Sequence, residues 1–184
     1  MIGAAFGDTL ARAQAGDEAA FACLFRDVQS ALLRYLRVIA PEAEDVAGDT
    51  WLQVVAGLAG FRGEEQAFRA WLFTVARHRA ADAGRSRARR PVVPLETSGA
   101  AEQLMAADTA DLALEALSAG AVVALIASSL PRDQAEIIML RVVAGLDTEA
   151  VAQLLGRSSG AVRIAAHRGL HRLASLLAEA GVTR

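Results

Sequence analysis

Residues 146–173 read LDTEAVAQLLGRSSGAVRIAAHRGLHRL, and the spacing of small, apolar and basic residues in this stretch decides the fold class. Asp147 or Thr148 can cap a short helix in which Val151 and Leu155 lie one turn apart, with Ala152 beside them. Gly156 follows just past the helix end, where a left-handed backbone costs glycine nothing. Ser158 or Ser159 can then cap a longer helix with Val162 as its inward anchor. A small residue, a glycine four positions on and an apolar residue six further on is helix-turn-helix spacing, because the two helices cross closely at the alanine.

The chemistry of the second helix agrees. Arg157, Arg163, Arg168 and Arg172, with His167 and His171, place four guanidinium charges in sixteen residues that contain no acid. Such a helix suits the major groove, where arginine bonds phosphates or grips guanine edges. A solvated face on an ordinary helical hairpin is the alternative. The two histidines, four residues apart, have no acidic or thiol neighbour, so no metal site is expected.

Outward from this stretch the periodicity is helical almost throughout, which predicts helices over 17–38, 42–58, 67–86, 109–127, 132–144, 148–155 and 159–178. No run alternates apolar and polar residues as a half-buried strand does. Pro91 and Pro94 bracket a break, and LETSGAAEQ after it is small, polar and acidic. The chain is therefore expected to be all-α, with one helical domain over 1–90, a linker over 91–108 and a second helical domain over 109–184.

In the helix EAEDVAGDTWLQVVAGL, residues 42–58, Ala47, Trp51, Val54 and Leu58 share the core side, while Asp45, Asp49 and Gln53 lie on the other with Leu52. An acidic face carrying an exposed leucine suits a basic, partly apolar partner helix; simple solvation is the alternative. After FRGEEQ, residues 61–66, the stretch AFRAWLFTVARHRAADAGRSRARR places Phe68, Trp71, Leu72 and Val75 in a buried stripe and Arg69, Phe73 and Arg77 on the opposite side. Segment 77–90 holds six arginines against only Asp82, a density that points to a polyanion or an acidic protein surface. Arg79, near the stripe, is a candidate structural partner for Asp82.

Composition looks neutral until it is divided. The hydrophobic share of 54% falls to about 31% once the 42 alanines are set aside, which suits a soluble helical protein. The net charge of −2 argues against a uniformly basic nucleic-acid binder, yet it resolves into −4 for 1–50, +5 for 51–91, −5 for 92–131 and +2 for 132–184. Cys23 is the single cysteine, which excludes an internal disulfide and fits a reducing compartment. The longest strongly apolar stretch, near 119–127, is too short to span a bilayer, so a cytoplasmic protein is expected. No nucleophile–base pair or phosphate-cradling glycine loop argues for an enzyme, and no cofactor is expected.

The order of EAEDVAGDTWLQV, FRG, AFRAWLFTVARHRAAD, an arginine-rich end, a Pro-flanked acidic linker and LPRDQAEIIMLRVVAGLDTEAVAQLLGRSSGAVRIAAHRGLHRLASLL resembles a bacterial RNA polymerase sigma factor of the extracytoplasmic function (ECF) group, within the sigma-70 family. The resemblance covers about residues 17–178. It implies two domains, the second and fourth of the larger sigma factors, acting in promoter recognition and transcription initiation. It implies that Asp45, Asp49, Leu52 and Gln53 dock on the clamp helices of the polymerase β′ subunit. The loop Phe61, Arg62, Gly63, Glu64, Glu65 and Gln66 would capture a base flipped from the −10 element. Arg69, Arg77, His78 and Arg79 would meet −10 DNA, with Arg85, Arg87, Arg89 and Arg90 tracking phosphates. The linker would thread toward the RNA exit channel. Arg157, Ser158, Ser159, Arg163, His167, Arg168, His171 and Arg172 would read the −35 element, while the apolar side of 132–144 helps hold the β flap. An anti-sigma partner is also implied. Two departures stand out: Arg163, Ile164 and Ala165 replace a frequent Lys-Ser-Arg, which shortens side-chain reach to bases, and Arg157 occupies a turn position that is usually apolar. The alternatives are a stand-alone helix-turn-helix regulator, which leaves the acidic helix and the second arginine cluster without a purpose, and a sigma-like interaction adaptor without DNA binding.

Overall fold

The computed structural model describes residues 1–89 and 110–179, and among these every regular element is helical. After a single 3₁₀ turn come α1 (Phe6–Gln14), α2 (Glu18–Ile39), α3 (Ala43–Leu58) and α4 (Glu65–Arg89). The second half holds α5 (Ala110–Ser129), α6 (Arg132–Ile138), a π-helical turn (Met139–Val143), α7 (Thr148–Leu155) and α8 (Ser159–Glu179). The expected linker 91–108 and Arg90 lie outside the described residues.

Local chemistry accounts for the ends of these helices. Asp17 caps α2, its carboxylate accepting from the N–H groups of Ala19 and Ala20 at 2.9 and 3.0 Å. These bonds, and the Arg12 guanidinium beside it, hold Asp17 below the usual carboxylate range. Asp147 caps α7 by accepting from Ala150 N at 2.8 Å. Gly156 closes α7 at φ 64° and ψ 38°, and Arg157 N reaches back to Ala152 O at 2.9 Å. Helix α1 was not anticipated from the periodicity, although Phe6, Leu10 and Ala13 recur at i, i+4, i+7 and are buried.

The amino-terminal bundle packs α2, α3 and α4 around Leu24, Val28, Leu32, Tyr35, Val54, Phe68, Leu72 and Phe73. Trp51 donates its indole N–H to Gln29 at 2.6 Å, so the buried ring leaves no polar atom unpaired. Helices α3 and α4 approach closely at Gly57, where an added Cβ would sit 2.9 Å from the Trp71 ring. In the carboxy-terminal bundle, Val151, Ala152 and Val162 are buried where α7 meets α8, and α6 crosses α8 at Gly169.

The two bundles share one core, and this changes the expectation for α4. Phe73 and Arg69 are buried rather than outward-facing, and Trp71 is only half-buried. The reason is tertiary. The Ala144–Gly145 corner and α7 lie against the face of α4 that a single-domain reading leaves to solvent, while Phe73 packs edge-on against Tyr35 at 5.3 Å. Helix 132–144 is likewise not one α-helix: Ala144 N bonds Met139 O at 2.9 Å, an i to i+5 closure, and Gly145 turns the chain at φ 69°.

Candidate nucleic-acid and polymerase interfaces

Three surfaces follow from these elements. On α3, Asp45, Asp49, Leu52 and Gln53 all face solvent, brought together because 3.6 residues per turn align positions i, i+4, i+7 and i+8. Leu52 is 72% exposed, and Val55, absent from the sequence-based set, is 54% exposed beside it. Its signal was available: Val55 breaks the polar face as Leu52 does.

The second surface is the 61–66 loop and the outer side of α4. Phe61 is half-buried, stacked on Trp71 at 5.2 Å with an interplanar angle of 22°. Gln14 braces this loop by donating to the carbonyls of Leu58 and Phe61, both at 2.9 Å. Arg62 folds back onto the Ala59 and Phe61 carbonyls at 2.9 and 2.6 Å. Gly63 adopts φ 150°, and Glu64 is exposed. Glu65 differs from expectation: it is buried, and its two carboxylate oxygens accept the N–H groups of Ile2 and Gly3 at 2.8 Å each. Gln66 donates to the Gly145 carbonyl at 3.2 Å.

Further along α4, Arg69 must be removed from the outward set. It is 5% exposed, Nη1 lies 2.6 Å from Asp27, and Nε donates to the Ala144 carbonyl at 3.0 Å. Arg77 is half-buried and donates to Glu136 at 2.9 Å, and the same carboxylate oxygen accepts the Tyr35 hydroxyl at 3.1 Å. Burial, reinforced by the Glu136 charge, pushes the Tyr35 phenol well above its ordinary range. His78 is exposed. Arg79 donates to Gln53 at 2.7 Å instead of pairing with Asp82, which is taken by Arg85. Arg87 lies 3.3 Å from Glu42 and Arg89 is exposed, so α3 and α4 form a charged cleft lined by Glu42, Asp49, Arg79, Asp82, Ser86 and Arg87.

The third surface is α8. Arg163, His167, Arg168, His171 and Arg172 are all exposed along it, and the two imidazole rings lie 6.5 Å apart. Ser158 caps the helix, accepting from Ala161 N at 3.2 Å. Ser159 donates to Glu149 at 2.6 Å, and Arg157 pairs with Asp133 of α6, holding that carboxylate below its ordinary range. Arg157 and Ser159 thus fasten the turn. The apolar side of 132–144 faces the core, with Ala135, Ile137, Ile138, Met139 and Leu140 buried and Val142 exposed.

Comparison with known proteins agrees with this layout. Residues 21–90 match the family model for sigma-70 region 2, and residues 122–173 match the model for sigma-70 region 4. The chain is 34% identical to the ECF RNA polymerase sigma factor SigD of Mycobacterium tuberculosis, over 98% of this chain and 88% of that protein. It is 33% identical to the ECF sigma factor ShbA of Streptomyces griseus, over 92% of this chain and 94% of ShbA. Among solved structures it is similar to CnrH in complex with the cytosolic domain of CnrY (TM-score 0.61, 25% identity, 95% of this chain and 98% of that one). It is also similar to RpoE of Bartonella quintana in complex with the anti-sigma factor NepR (TM-score 0.60, 25% identity, 89% and 98%). An all-helical chain with an acidic α3, an arginine-bearing α4 and a helix-turn-helix, matched along nearly its full length by such relatives, belongs to the ECF RNA polymerase sigma factors.

Proposed function

We propose that this chain works as an alternative sigma factor in which α3 docks on core RNA polymerase, the 61–66 loop and α4 engage the −10 element, and α8 reads the −35 element. The observation that carries the reading is the pairing of two separate arginine-bearing helices with one acidic helix that exposes Leu52 and Val55. A stand-alone regulator needs neither the acidic helix nor the second basic one. Strand separation then rests on trapping an unstacked base, whose cost of a few kcal/mol is offset by pocket and polymerase contacts. The chain performs no covalent chemistry in this role, and it acts where the polymerase is, in the cytoplasm. No helix among the described residues is long and apolar enough to cross a membrane.

The closed packing bears on mechanism. Elements named −10 and −35 lie about 25 base pairs apart, or about 85 Å of B-form duplex. Arg69 and Gln66 of α4 bond directly to the Ala144–Gly145 corner that precedes α7, so the two readers must separate to engage both elements. By analogy with the anti-sigma complexes among its structural neighbours, control by an anti-sigma protein is part of this reading.

Run-off transcription with purified core enzyme tests it: promoter-dependent product is expected from some member of a genomic library, and none from any member refutes the assignment. Asp45→Arg and Asp49→Arg are expected to abolish co-purification with core polymerase while lowering the melting temperature by no more than about 4 °C, since both side chains face solvent and lose only a first-turn dipole contact or a cleft charge.

A further inference from the structure

The outward face of α8 has an unexpected centre. Val162 is fully buried, and stepping about 100° per residue from it places Gly160, Ile164, His167 and His171 on the opposite side of the helix, with Arg163 and Arg168 flanking them. Exposure agrees, for Ile164 is 55% exposed and Arg163, His167, Arg168 and His171 are exposed around it. Gly160, one turn earlier, leaves open space where a side chain would otherwise stand. The face of α8 opposite the core therefore carries a branched hydrocarbon set between two arginines and two imidazoles. Core packing does not require it there, and a β-branched residue is not a preferred helix former.

The charge around Ile164 selects a polyanion, since no acidic residue occurs from 159 to 178. Within the major groove the apolar feature presented by a base pair is the 5-methyl group of thymine, and an aliphatic side chain is its natural contact. Residues near the start of a recognition helix are the ones that reach base edges, and Ile164 is the sixth residue of α8. We propose that Ile164 is a specificity-determining residue that packs on a thymine methyl in the −35 element. Arg163 and Arg168 on either side then hold phosphates or guanine edges, and polar side-chain reach at 164 and 165 is replaced by apolar contact. The proposal rests on α8 being the −35 reader and adds to it the identity of one base.

The test uses the full chain reconstituted with bacterial core polymerase. Promoter duplexes randomised over the −35 region are selected for binding, and each thymine of the selected site is then replaced singly by deoxyuridine, which differs by the methyl group alone. One position is expected at which uracil weakens wild-type binding about four-fold, the worth of one buried methyl. At that position Ile164→Ser is expected to bind thymine and uracil within about two-fold of each other, with Ile164→Val between. A wild type indifferent to uracil at every position, or an Ile164→Ser variant keeping the full uracil penalty, overturns the assignment. Selection that enriches no sequence across the randomised −35 region overturns the reading of α8 itself, and with it this one.

Discussion

An added Cβ at Gly169 would lie 2.6 Å from Cδ1 of Ile138, which is 2% exposed and hemmed in by the core. Two effects oppose each other in Gly169→Ala. Alanine gains about 1 kcal/mol in helix propensity, whereas overpacking a closed crossing costs about 1–3 kcal/mol. The crossing wins because Ile138 cannot swing into solvent, so Gly169→Ala is expected to lose about 1 kcal/mol in urea denaturation. Ile138→Val in the same chain should recover most of it, a non-additivity that a double-mutant cycle reads directly. Arg69 is the polar counterpart. Its ion pair with Asp27 is nearly sealed from water, at 6% and 13% side-chain exposure, while the Arg85–Asp82 pair is 60% and 55% exposed. Removing Arg69 takes from Asp27 one of two cationic partners, the Met1 amino group at 2.5 Å remaining, and leaves the Ala144 carbonyl without its donor, so Arg69→Ala is expected to destabilise by about 1–3 kcal/mol. Arg85→Ala, at an exposed pair, should cost under about 1 kcal/mol by the same measurement.

At the scale of elements, the second-half helices were the most legible. Asp147, Gly156 and Ser158 carry local cap chemistry that no distant contact needs to complete, and Ala152 and Val162 are buried as their spacing predicts. Helix α4 was legible only in part. Its stripe of Phe68, Leu72 and Val75 follows from periodicity, but the burial of Arg69, Phe73 and Glu65 comes from Asp27, Tyr35, Ala144 and the Ile2–Gly3 backbone, tens of residues away. An arginine in sequence reads as surface, and nothing local reveals that a carboxylate and a carbonyl wait for it. Helix α8 makes its own prediction. Arg163→Ala and Arg168→Ala should each flatten the dependence of log affinity on log salt by about 0.9 if each neutralises one phosphate, measured on −35 duplex. Unchanged slopes would assign both residues to the surface alone.

For the whole molecule, Glu136 carries the charged link between the halves, reaching from α6 to Tyr35 on α2 and Arg77 on α4, beside the bonds of Arg69, Gln66 and Arg132 to backbone carbonyls across the same junction. Glu136→Gln keeps a hydrogen-bond acceptor and removes the charge, so small-angle scattering should show a larger radius of gyration than for the wild type. An unchanged radius would mean that the shared apolar core and the bonds of Arg69, Gln66 and Arg132 hold the halves together without the Glu136 charge. The buried phenol adds a pH signature. Tyr35 titrates well above the ordinary 10.0 in the folded chain, so its contribution is fully present below pH 10 and is lost as pH rises beyond it. Tyr35→Phe should remove that alkaline loss in melting curves recorded across pH 9 to about 11.

The π turn at Met139–Val143 carries a consequence for chain length. It closes in five residues where an α turn closes in four, so the strand of backbone between Ile138 and Leu146 holds one residue of slack wound into the helix. Deleting it would let an ordinary turn form, and everything downstream would swing by about 100° around the axis. The Ala144 carbonyl would leave Arg69, and the arginine face of α8 would rotate by more than a quarter of a revolution relative to α4. Substitutions in this segment alter packing; insertions and deletions would re-aim a DNA-reading domain, which makes residue count here a setting as consequential as residue identity.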